Sequence, residues 1–209
     1  MTAAGESFRV LHVCTGNICR SPMAEHLMRW MLEQGWADQA HRVEVASAGT
    51  WGHTGSPMEP FALSTLAERG VDGSGFGARE LVAEHVAGAD LVLGATRDHR
   101  AAAVVLHPRA AARTFTLREF SRLTADVPAG ALPDGDLVGR AQALVRLAAQ
   151  RRGLVPPARP SDDDLADPYQ APASAFGACA DLLTESLRGP VALLVAGSRE
   201  ADAARTGRP

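Results

Sequence analysis

The sequence predicts an α/β fold in which a central, mostly parallel four-stranded sheet carries helices on both faces. Three observations lead there. Apolar runs of strand length recur at residues 8–13, 43–46, 89–93 and 113–116. Stretches with helical spacing separate them, and strands alternating with helices build parallel sheets. The first strand also runs straight into the loop Cys14-Thr15-Gly16-Asn17-Ile18-Cys19-Arg20-Ser21, which opens a helix. The most reactive segment therefore falls at the carboxyl end of a strand, where open α/β sheets bind their ligands.

Taken in order, Phe8-Arg9-Val10-Leu11-His12-Val13 reads as a buried strand. Pro22 suits the first turn of the helix over 22–34, because its missing N–H has no helical acceptor there anyway. The strand at 43–46 passes through Ser47-Ala48-Gly49-Thr50 into a Gly-rich loop with Trp51 and His53. Helical patterns follow at 58–69 and 97–106, on either side of the strand at 89–93, and the last strand is 113–116. Residues 125–160 read as a helical insertion. Within it, 136–152 places Leu137, Ala141, Leu144, Val145 and Ala148 at helical spacing, between flanks rich in Pro and Gly. This pattern fits either a helix packed on the domain or a lid or partner-docking element. A closing helix is expected over 174–187, and 191–195 adds a strand or a short helix. Residues 1–209 are read as one domain.

Composition narrows the function. The net charge of −3 argues against nonspecific nucleic-acid binding. All 21 basic residues are arginine, and 46% of the chain is hydrophobic, so a packed core is expected. No apolar stretch reaches the length of a membrane span and no signal-like segment opens the chain, so a cytoplasmic location is expected. The three cysteines, Cys14, Cys19 and Cys179, lack the paired spacing of a zinc site. The loop also lacks the Gly-Lys-Ser/Thr ending of a nucleotide-binding P-loop. No metal or cofactor is expected.

The loop has a chemistry of its own. A helix N-terminus offers unpaired N–H groups and partial positive charge, and a loop curled around a tetrahedral anion adds more donors. Gly16 permits close backbone approach. Arg20 supplies a planar fork for two phosphate oxygens. In that field Cys14 is the candidate nucleophile, with Ser21 placed to donate a hydrogen bond to its sulfur.

The run from Val13 to Pro22 resembles the signature loop of the low-molecular-weight protein tyrosine phosphatases. The likeness continues through Ala24-Glu25 and Ser47-Ala48-Gly49-Thr50 and resumes at Asp167-Pro168-Tyr169. It implies a phosphotyrosine or aryl phosphate monoester hydrolase working through a phosphocysteine. In it Cys14 attacks, Thr15, Gly16, Asn17, Ile18, Cys19, Arg20 and Ser21 bind phosphate, and Asp167 serves as general acid and base. Without the resemblance, Asp167 is one of several acidic residues in a loop before a proline. Tyr169 would flank the substrate ring, with Trp51 and His53 as the opposite wall; a tryptophan in such a loop reads equally well as a packing plug. Cys19 reads as a small apolar filler, or, as in family members, as a reversible disulfide partner for Cys14. Ile18 stands where relatives resembling arginine phosphatases carry Thr, which favours a phosphotyrosine protein or a small aryl phosphate.

Two departures stand out. Gln170 occupies the place of a second tyrosine, and Phe76 that of a histidine which bonds the loop asparagine in related enzymes. Asn17 then needs another partner, and Ser47 is the candidate. Two rival functions remain at this point. An arsenate reductase of the relay type needs further cysteines beyond Cys19, and only Cys179 follows. A catalytically weak phosphoprotein-binding module would use the insertion for recognition.

Overall fold

The computed structural model describes residues 7–134 and 136–206, with side chains described through residue 196. Strands β1 (Phe8–Cys14), β2 (Val43–Gly49), β3 (Leu91–Gly94) and β4 (Thr114–Thr116) pair in the order β2-β1-β3-β4. Every pairing is parallel, where a mostly parallel sheet was expected. Alternation along β1 sends Phe8, Val10 and Cys14 to one face and Leu11 and Val13 to the other, and the two sets belong to separate buried clusters. The larger cluster draws on α1 (Arg20–Ala40), α2 (Pro60–Ala67), α5 (Leu117–Thr124), α6 (Leu137–Arg151) and α7 (Ala173–Thr206). The smaller one includes Val86 of α3 (Ala83–Gly88) and Ala103 of α4 (Arg97–Leu106). The chain leaves β1 for β2 on one side and returns to β3 on the other. The crevice beside the end of β1 is therefore the topological switch point, and the Cys14–Ser21 loop lies there.

Several boundaries differ from the sequence reading for identifiable reasons. Helix α1 starts at Arg20 rather than 22 and continues to Ala40 across a break at Trp36 (φ −154, ψ 67). Trp36 is buried, and its packing carries the chain past a residue that is itself not helical. Helices α3 and α5 were not foreseen. The first has six residues, too few to display a period. The second follows β4 with no turn between them, because Thr116 ends the strand and caps the helix: its hydroxyl accepts from Glu119 N at 3.0 Å, and Glu119 returns the bond to Thr116 N at 3.2 Å. The 191–195 segment is neither a strand nor a separate helix; it continues α7 beyond Pro190, with Val191 and Leu194 buried.

Helix α6 opens on Asp136, whose carboxylate accepts from Val138 N and Gly139 N. Leu137, Leu144 and Ala148 are among the most buried side chains described. Arg140, equally buried, donates to Leu193 O at 2.8 Å, Leu194 O at 3.0 Å and Pro133 O at 2.9 Å. Just beyond the helix, Arg152 lies 4.2 Å above the Phe115 ring and donates to Thr114 O at 2.7 Å, which ties α6 to the edge strand β4.

Candidate active site

The backbone of the loop is held open by its neighbours. The segment after β2 donates to it in sequence: Thr50 N to Cys14 O (2.9 Å), Trp51 N to Thr15 O (3.0 Å) and His53 N to Gly16 O (3.0 Å). Glu59 N donates to Ile18 O at 2.9 Å. With these carbonyls engaged outward, the loop amides are left for the concave side. Gly49 makes this approach possible, since a Cβ there would sit 2.4 Å from Thr15 O. Cys19 is the N-cap of α1 and provides no side-chain cap, so the first-turn amides of α1 also lack a side-chain acceptor from that position.

Asn17 is the keystone of the loop. It has φ 56, a left-handed conformation that asparagine tolerates better than most residues. Its side chain is buried and fully used: Nδ2 donates to Ser47 Oγ (2.8 Å) and Ser21 Oγ (2.9 Å), while Oδ1 accepts from Arg79 N (2.9 Å). Ser47 is thus the partner expected in place of a histidine, and the Arg79 backbone is a second that the sequence did not disclose. Ser47 Oγ in turn donates to Glu25 Oε2 at 2.6 Å, and Glu25 pairs with Arg29 at 2.5 Å. Because Ser21 Oγ accepts from Asn17, its own proton is free for Cys14 Sγ, 3.0 Å away. The network therefore ends with a hydroxyl donor directed at the sulfur.

Arg20 is buried, and it donates through Nη1 to Leu165 O at 3.1 Å and through Nη2 to Thr15 Oγ1 at 3.4 Å. Its Nη2 also forms an ion pair with Asp167 Oδ2. Its Nε is a buried donor with no partner among the described residues; an oxyanion bound in the loop is the kind of acceptor it lacks. Asp167 has a side chain 46% exposed, and its Oδ1 accepts from Tyr169 N at 3.2 Å. One cleft of about 280 Å³ brings together Cys14, Thr15, Gly16, Ile18, Cys19, Arg20, Trp51, His53, Asp167 and Tyr169. Asn17, Ser21 and Ser47 are buried support outside that lining. Trp51 is 77% exposed, so it acts as a wall of the cleft and not as a packing plug. Cys19 is buried, and burial, reinforced by Cys14, Asp167 and Glu59, pushes its thiol pKa up. Cys179, buried on α7, is pushed up to about 12 by burial.

Sequence reasoning missed His99. Its Nε2 shares a hydrogen bond with Thr15 Oγ1 at 3.0 Å and its Nδ1 one with Thr96 Oγ1 at 2.8 Å, so both ring nitrogens are engaged by hydroxyls. Burial and then the Arg20 charge lower its pKa to about 4. His12, buried on β1 and facing the Arg29 charge, is lowered to about 3, again mainly by burial. In the unfolded chain both take up protons near 6.5, while the folded protein does so only near 4 and 3. The stability that these two neutral rings provide is complete above pH 6.5 and is lost as pH falls towards 4. The expected slope approaches about 2.7 kcal/mol per pH unit in that window. Urea unfolding at pH 7.5 and pH 5 checks this; a flat profile would contradict it.

Residues 9–134 match the sequence profile of the low molecular weight phosphotyrosine protein phosphatases. The chain belongs to that family. It is similar to a low molecular weight protein-tyrosine-phosphatase of Streptomyces coelicolor, 40% identical over 129 residues, covering 58% of this chain and 77% of that protein. It is also similar to a protein-arginine-phosphatase of Geobacillus stearothermophilus, 38% identical over 113 residues, covering 54% and 71%. Among solved structures, the YwlE arginine phosphatase from G. stearothermophilus superposes with a TM-score of 0.64 at 29% identity, over 92% of this chain and 96% of that one. The phosphatase has the four-stranded parallel α/β architecture of those neighbours, and neither arsenate reduction nor a binding-only module is favoured by the matches. No described helix is long and apolar enough to cross a membrane.

Proposed function

We propose that this phosphatase hydrolyses aryl phosphate monoesters, phosphotyrosine on protein foremost, through a phosphocysteine at Cys14. The observation that supports this best is the convergence of Cys14, Arg20 and Asp167 on one cleft, with the Ser21 hydroxyl on the sulfur. In the first step the Cys14 thiolate attacks phosphorus. The P–O bond to the aryl group breaks, and the leaving oxygen takes a proton from Asp167. Phosphoryl oxygens take over Arg20 Nη2 and meet its unpartnered Nε, which releases Asp167 from its ion pair, so that its carboxylate takes up, from the incoming ester's phosphate monoanion or from solvent, the proton it delivers. In the second step Asp167, now ionised, removes a proton from water. The water oxygen bonds to phosphorus, the P–S bond breaks, and the thiolate returns to the Ser21 donor. Arg20 and the loop amides hold the charge of the transferring group throughout.

Trp51 and Tyr169 would clasp the aromatic ring, with partly buried Ile18 as an apolar side. A second reading, phosphoarginine hydrolysis, is favoured by the relative named for that activity. The discriminating measurement compares a phosphotyrosine peptide with a phosphoarginine peptide. The phosphotyrosine peptide is expected to be turned over at least about tenfold faster in kcat/KM, a margin of roughly 1.4 kcal/mol at the transition state; equal or reversed preference would sink the tyrosine assignment. The mechanism needs Cys14 as a free thiolate, as the three free cysteines allow, and a reducing cytoplasm is the compartment it implies. Reversible pairing of Cys14 with Cys19 and a single domain with α6 integral to it belong to the same reading.

A further inference from the structure

We propose that the first turn of α4 is a bracket that sets Asp167 over the phosphate loop, with Asp164 and Arg97 as its positioning residues. The inference rests on the reading of Asp167 as the general acid.

Asp167 is nearly half exposed, and once a phosphate takes Arg20 from it, the Tyr169 N–H at 3.2 Å is the hydrogen bond its carboxylate keeps. Its position therefore depends on the backbone that leads to it. Three residues earlier, the Asp164 carboxylate is held by Arg97 through four hydrogen bonds. Arg97 N donates to Oδ1 at 2.8 Å, Nε to Oδ1 at 3.3 Å and Oδ2 at 3.1 Å, and Nη2 to Oδ2 at 2.9 Å. Arg97 is the first residue of α4, so the carboxylate meets a helix N-terminal amide and a guanidinium together. The next residue continues the grip: Leu165 N donates to Ala95 O at 2.9 Å, and Leu165 O accepts from Arg20 Nη1 at 3.1 Å. From there only Ala166 separates the anchored backbone from Asp167, and Pro168 restricts the conformation of Asp167 itself.

The same turn reaches the other half of the site. His99, two residues after Arg97, bonds Thr15 of the phosphate loop, and Thr96 fixes the His99 ring. One helical turn thus holds the acid loop through Asp164 and the phosphate loop through Thr15. Further tethers, Asp163 to Arg122 of α5 at 2.8 Å and Asp164 O to Arg118 of α5 at 3.4 Å, also hold the segment to the fold. Loss of the Arg97–Asp164 clasp should leave the segment docked and the acid misaligned.

The test uses the full chain with Arg97→Ala and, separately, Asp164→Asn, measuring kcat/KM for p-nitrophenyl phosphate and for phenyl phosphate. The poorer leaving group needs the acid more. Losses of roughly threefold for p-nitrophenyl phosphate and roughly 30-fold for phenyl phosphate are expected, a part of the roughly 10²–10⁴-fold that a general acid supplies, since the acid is misaligned and not removed. Inhibition by inorganic phosphate should stay within about twofold of the parent, since the loop is untouched. In an Asp167→Asn background neither change should reduce the rate further, and Arg97→Lys should recover part of the loss. Equal losses for the two substrates, or losses that add to Asp167→Asn, would overturn the proposal. If Asp167→Asn itself fails to steepen the leaving-group dependence, the acid assignment falls first and the bracket falls with it.

Discussion

Cys14→Ser is expected to lower p-nitrophenyl phosphate turnover by at least about four orders of magnitude, the scale seen when a covalent nucleophile is removed. The reason lies in what the loop is built to hold. A sulfur at the end of β1 meets the Ser21 hydroxyl, beside the N-terminus of α1 and a loop whose carbonyls are engaged by the segment after β2. Such a field favours an anion. Serine at this position remains a neutral alcohol at neutral pH, and the side chain that Cys14 bonds among the described residues, Ser21, is itself a donor in the chain that begins at Asn17. Phosphate-ester binding should survive, because Arg20 and the amides are unchanged, so the variant should retain phosphotyrosine peptide while releasing no phosphate. A single-turnover assay checks both halves. Turnover within tenfold of the parent would mean that phosphorus is attacked by something other than Cys14.

The parts of the site that were legible in the sequence share one property: they are contiguous, or chemically singular. Cys14 to Ser21 lies on one stretch at a strand end, whereas Asp167-Pro168 stood out only through the family resemblance, its proline adding no more than a restricted backbone. Even the Ser47 contact could be reasoned out, because Phe76 has no group to offer Asn17 and a buried amide must find one. His99, Arg97 and Asp164 were not legible. Each is an ordinary polar residue in an ordinary position, and its role arises only when α4 and the 163–167 segment meet, more than sixty residues apart in sequence. The same limit explains the elements. Helices with a clear apolar stripe, α4 and α6, fell within a residue of their observed bounds. Those defined by capping or by tertiary packing did not: α5 grows directly out of β4, and α7 is carried past Pro190 by contacts with α6. The Thr116-Leu117-Arg118-Glu119 capping box was the one readable signal for α5.

Removing residues 128–158 is expected to unfold the protein, an effect larger than any single catalytic substitution because it abolishes the site with the fold. A lid or a docking appendage must be able to leave. Helix α6 is not built to do so: Leu137, Leu144 and Ala148 are 0–1% exposed and belong to the main core, and no residue of α6 lines the cleft. Its loss would bare the apolar surface it covers on α5, α7 and β1 and remove the Arg140 donors that serve the carbonyls of Leu193 and Leu194. It would also take Arg152 from Glu119, leaving a buried carboxylate with Arg100 as its remaining ion-pair partner. The deletion should show no cooperative thermal transition and no p-nitrophenyl phosphate turnover. Because any large deletion risks that outcome, Leu144→Ala gives the graded form of the argument. It should cost about 2–5 kcal/mol in urea unfolding, as expected for truncating a fully buried leucine, and leave kcat unchanged under conditions where the protein is folded. A loss below about 0.5 kcal/mol, or a deletion that folds and turns over substrate, would make α6 an ornament on a smaller phosphatase. Its burial makes it instead a part of the main core, joined to α7 through Arg140 at Leu193 and Leu194.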